Sequence, residues 1–137
     1  MTDQMTGEMD LQTLLSSCQA IMADDEFVFI CLADRKIPSG LSPVMMFQEA
    51  EAMSLIITRQ QAETAGLSFV YPCRMITLAI HSSLEAVGFM AHISRLLADA
   101  GISVNPVAGF YHDHLFVPVA KADDAMALLR TLAVKNK

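Results

Sequence analysis

Residues 110–117, FYHDHLFV, set His112 and His114 on either side of Asp113, between aromatic and apolar neighbours. Two imidazoles and a carboxylate are the material of a zinc site or of acid–base catalysis. A zinc site takes about four ligands. The remaining histidines do not complete a set: His81 follows an extended segment and His92 lies in a helical one. The three cysteines, Cys18, Cys31 and Cys73, are widely spaced and form no CxxC. Neither a metal ion nor another cofactor is therefore expected, and the cysteines are read as reduced, mostly buried thiols. His112-Asp113-His114 is read as the connection of a β-hairpin, where Asp is at home. Such a turn is a polar tip, or it borders the ligand pocket of a partner subunit.

Catalysis finds little support elsewhere. Cys73 and His81 flank one predicted strand and would stand about 25 Å apart by strand rise. Ser82 and Ser83 adjoin His81, but no third group is evident to orient a nucleophile. No phosphate-binding glycine loop occurs. No catalytic residue is assigned.

The elements that position these residues are clearest in the second half. RMITLAI, residues 74–80, alternates as a strand does. HSSLEAVG follows, and Ser82 and Glu85 have capping-box spacing, which predicts a helix from there to about Ala100. Phe89, Met90, Ile93, Leu96 and Leu97 would form its inner face. Gly101 stands where a left-handed helix end is wanted. Residues 102–111 are extended, with Pro106 demanding an edge or a bulge. Residues 115–120 are a further strand. Asp123 is the expected N-cap of a last helix that turns Ala125, Leu128, Leu129 and Leu132 inward.

In the first half, residues 10–22 read as a helix with Leu11, Leu14, Leu15 and Cys18 on one side. EFVFICLAD reads as a strand. Residues 37–44 carry prolines, a glycine and serines and form a loop. Strands at 44–49 and 53–58 follow, then a short helix ending at Gly66. The order is that of the second half, with its first helix replaced by a loop. Tyr71-Pro72 marks the passage between halves, giving domains at residues 1–70 and 71–137.

The chain has 137 residues, 53% hydrophobic, with net charge −6. That suffices for a packed core and disfavours nucleic acid as a partner. No window has the apolar length of a membrane helix, and MTDQMTGEMD lacks the features of a signal peptide. A soluble, cytoplasmic protein is expected. Residues 1–70 hold three basic and ten acidic side chains; residues 71–137 hold six and five. The halves thus present different surfaces.

The stretch EAVGFMAHISRLLADAGISV resembles the signature of the ACT domain. Glu85 matches its acidic position and Gly88 its glycine; residues 96–102 match the helix end and strand start. The usual Asp and Pro before the glycine are here Glu85 and Val87. Residues 75–119 more broadly resemble small bacterial proteins with two ACT-like halves, similar in turn to the ACT pairs of the cytosolic arginine sensor. The resemblance implies an α+β fold of ferredoxin-like βαββαβ units, an antiparallel sheet with helices on one face. It implies pairing of units, here as a homodimer, and non-catalytic amino-acid sensing. The ligand would lie where the loop after the first strand meets the second strand of a neighbouring unit.

The residues offer matching chemistry. A helix N-terminus suits a carboxylate. Glu85 or Asn105 could take an ammonium group, and Gly88 would allow close approach to backbone. The expected ligand-binding residues are Ser82, Ser83, Glu85, Gly88, Phe89, Val104 and Asn105. The alternative is an interaction or dimerisation module without a small-molecule ligand, to which the ten methionines would lend adaptable apolar surface.

Overall fold

The computed structural model describes residues 7–136. The elements are α1 (Leu11–Ser17), β1 (Ala20–Leu32), β2 (Met45–Gln48), β3 (Met53–Thr58), α2 (Arg59–Thr64), β4 (Val70–Leu78), α3 (Phe89–Asp99), β5 (Asn105–Ala108), β6 (Asp113–Pro118), a 3₁₀ turn (Val119–Lys121) and α4 (Ala122–Lys135). The fold is α+β with two ACT-like halves. The chain divides into two compact units, one holding residues up to Ala23 together with those from Arg74 onward, the other Asp24–Cys73.

In the Asp24–Cys73 unit, β3 pairs antiparallel with β1 on one side and β2 on the other. Strand alternation sends Val28, Ile30 and Leu32 to the same face as Met53, Leu55 and Ile57. These pack with Ala62 of α2 and with Leu41, Leu67 and Phe69. Thr58 caps α2 through its side chain, accepting from the Gln61 amide. The loop at 37–44 stands where the sequence places it.

In the other unit, β6 lies between β4 and β5, and β5 pairs antiparallel with β6. Ile76 and Leu78 of β4 and Leu115 and Val117 of β6 share a buried face. Three helices cover it: Leu14 and Leu15 from α1, Phe89, Ile93 and Leu97 from α3, and Ala125, Met126, Leu129 and Leu132 from α4. The N-terminal helix thus contributes its apolar residues to the core built by residues 74–136.

Several local expectations are corrected. The first helix ends at Ser17, and Ala20, Ile21 and Met22 already belong to β1. Tyr71, at φ 59°, and Pro72 lie within β4. Asp123 lies in the first turn of α4, whose N-cap is Lys121. The hairpin between β5 and β6 turns at residues 109–112, closed by the Gly109 amide donating to the His112 carbonyl at 2.9 Å. Asp113 and His114 are already in β6. Phe110 and Tyr111, not the His-Asp-His triplet, are the exposed tip.

Candidate functional site

The segment HSSLEAVG connects β4 to α3, and it is not helical. The Ser82 hydroxyl donates to Asp113 Oδ2 at 3.0 Å, so it is not free to cap. Ser83 Oγ accepts from the Glu85 amide at 3.0 Å, and the Ala86 amide donates to the Ser83 carbonyl at 3.0 Å. These short-range bonds close a turn in place of a first helical turn. The expected capping box is therefore absent. Gly88 is the N-cap of α3 at φ 93°, with no side-chain cap. It stands before the helix rather than inside it, in a left-handed conformation suited to glycine.

The turn is held from a second side. The Glu8 amide donates to the His81 carbonyl at 2.7 Å, and the Ser83 amide donates to the Glu8 carbonyl at 2.7 Å. A Cβ on Gly7 would come within 2.7 Å of Ser82 and Ser83 backbone atoms, so only glycine permits this approach. On the hairpin side, Tyr111 packs on His81 with ring centroids 5.1 Å apart.

Between this turn, the start of α3 and the β5–β6 ladder lies a cavity of about 250 Å³. Its polar lining is Ser82, Ser83 and Asp113; its apolar walls include Phe89, Met90 and Pro106. Ser82 and Ser83 are almost fully buried. The cross-strand pairs Pro106↔Leu115 and Ala108↔Asp113 explain the floor, since directly paired residues face one way. Asp113, Leu115 and Val117 form one strand face, with the carboxylate at the cavity end and the apolar pair in the core. The first amides of α3 have no intrahelical acceptor, and Phe89 and Met90 line the cavity.

Of the residues expected to bind a ligand, Ser82, Ser83 and Phe89 come together here. The others stand apart. Glu85 is exposed. A Cβ on Gly88 would face the Leu11 side chain at 3.6 Å. Val104 packs against the core. Asn105 pairs with Phe116, one position out of step with Pro106, and so lies on the opposite face of the strand. Sequence reasoning missed Asp113. The signal was its spacing of two and four residues from Leu115 and Val117, which places it on the inner face.

The histidines are engaged separately. His114 Nδ1 lies 2.9 Å from Thr77 Oγ1, and His112 Nδ1 donates to the Ile80 carbonyl at 3.3 Å. Burial, together with the neighbouring His112, holds the His114 imidazole below its ordinary pKa against the opposing pull of Asp113. No group of three or more His, Cys, Asp or Glu side chains among the described residues is arranged to hold a metal ion. No helix there is long and apolar enough to cross a membrane.

An ACT-domain family model matches residues 6–74, and a second ACT-domain model matches residues 70–131. A Vibrio cholerae protein of unknown function, described as a possible transport protein, is 36% identical. The match covers 90% of this chain and 95% of that one, with a TM-score of 0.80. An Agrobacterium tumefaciens protein is 16% identical over 85% of this chain and 89% of that one, with a TM-score of 0.71. The regulatory subunit of aspartate kinase from Thermus thermophilus shares the fold, at 12% identity, coverage of 86% and 97%, and a TM-score of 0.65. None of the curated proteins matches the chain.

Proposed function

The chain belongs to the ACT-domain family, and from that premise we propose that it is a non-catalytic regulatory protein that binds an amino acid. The site is the cavity beside the start of α3. The observation that carries this reading is a concave space of about 250 Å³ where two buried hydroxyls, a carboxylate and an uncapped helix start converge between apolar walls. A few convergent polar groups on an apolar lining are what small-molecule sites offer. The fold shared with a regulatory subunit of aspartate kinase supports a regulatory role.

The protein acts in the cytoplasm as a homodimer, with residues 1–70 and 71–137 as its two ACT halves. Its ligand changes the assembly by differential affinity: it favours one packing of the units only to the extent that it binds that packing better. A dimerisation module without a ligand is the second reading. The exposed side chains of Met46 and Phe47 on β2 favour it.

Thermal unfolding in the presence of each of the twenty amino acids tests the proposal. A ligand at 100 times its Kd adds ~2.7 kcal/mol to stability, a shift of several degrees at this size. A shift with one amino acid or a related few is expected. No shift with any of them would favour the dimerisation module.

A further inference from the structure

We infer that Asp113 selects the ligand, taking an ammonium group, and that the cavity accepts small neutral amino acids and rejects anions. The inference rests on the amino-acid reading above and specifies its chemistry. The cavity lining contains one ionisable side chain, Asp113, and no Lys or Arg. One of its oxygens, Oδ2, takes the Ser82 hydroxyl. The ion pairs of the described residues engage Glu26, Glu63 and Asp99, and none involves Asp113. Asp113 is half-buried with no cation paired to it, and a ligand ammonium would supply one through a charge-assisted hydrogen bond.

Ser83 and the start of α3 add a different kind of polar group to the lining. The Ser83 oxygen accepts from the Glu85 amide, which leaves its proton available to an acceptor. Phe89 and Met90, the first residues of α3, share the lining, and a helix start favours a negative group. Phe89, Met90 and Pro106 supply apolar lining. An α-amino acid with a short apolar side chain meets all three conditions: ammonium on Asp113, carboxylate toward Ser83 and α3, side chain against the apolar wall. A volume of about 250 Å³ is small for a ligand site and suits a molecule of that size. An aspartate or glutamate side chain would add a third carboxylate to a space that already holds Asp113 and the ligand's own.

The test is calorimetric titration of the full chain with each of the twenty amino acids, and with their N-acetyl and methyl-ester forms, for the wild type and Asp113→Asn. The substitution removes the charge and keeps an oxygen to accept from Ser82. Expected is binding of a small neutral amino acid, weakened at least about tenfold by N-acetylation and by Asp113→Asn. Equal binding of the N-acetyl form overturns the role of Asp113 while leaving an amino-acid site, and this arm needs no variant to fold. Unchanged affinity in Asp113→Asn does the same. Binding of none of these compounds overturns the amino-acid reading and this inference with it.

Discussion

Ser82 and Asp113 are 31 positions apart, and the Ser82 hydroxyl donates to Asp113 Oδ2 at 3.0 Å. This bond ties the turn after β4 to the start of β6 and sets one side of the cavity. Ser82→Ala removes a partly buried hydrogen bond to a charged group, which is expected to cost about 1–3 kcal/mol. A lower urea midpoint with an unchanged slope would show it. A midpoint equal to the wild type would mean that the bond adds nothing to the folded state.

Gly88 enters α3 at φ 93° and faces Leu11 rather than the cavity. Substitution there strains the backbone before it reaches a ligand. Gly88→Ala should cost about 1–2 kcal/mol. Gly88→Asn should cost less, because Asn tolerates the left-handed region, and Gly88→Val more. Chemical denaturation of the three variants gives the order, and Ala as stable as Gly would contradict the assigned conformation.

His114 provides a pH dependence with a definite sign. Its imidazole is held below the ordinary value, first by burial and then by His112. The unfolded chain therefore takes up this proton before the folded one does. The contribution to stability is complete above the ordinary imidazole value, about 6.5. It is lost as pH falls from there through the lower folded value. The imidazole titration followed by NMR should have its midpoint below that of a free histidine, and His114→Gln should flatten stability against pH in that window. A raised midpoint would reverse the sign.

The thiols should separate by accessibility. Burial pushes Cys18 up to about 11, with Asp113 adding to it, and Cys73 up to about 12, with Glu26 adding to it. Cys31 is exposed. Iodoacetamide should alkylate Cys31 in the native protein and reach Cys18 and Cys73 only on unfolding, as mass spectrometry of the labelled peptides can show. Early labelling of Cys73 would contradict its burial.

Much of the second half was legible from periodicity. Phe89, Ile93 and Leu97 are the inner face of α3, Gly101 follows its end at φ 75°, and Pro106 lies on the edge strand β5. What misled the reading at the site was competition between local and distant partners. Ser82 and Glu85 have the spacing of a cap, but a carboxylate 31 residues away takes the hydroxyl. Asp113 looked like a turn residue because the turn chemistry of the triplet outweighed its place in the inward-facing row with Leu115 and Val117. Asn105 was one residue out of phase with that floor, a difference that reverses the face of a strand. Residues 10–22 read as one helix, although a strand already begins at Ala20.

The central claim is that an amino acid occupies the cavity between Ser83, α3 and Asp113. Amide chemical shifts of the labelled protein, titrated with the amino acid that most raises its melting temperature, test it most directly. The account predicts that the largest changes fall on residues 82–90 and 106–113. Changes concentrated instead around Ser39, Gly40 and Gln61, which line a cavity in the Asp24–Cys73 unit, would contradict it.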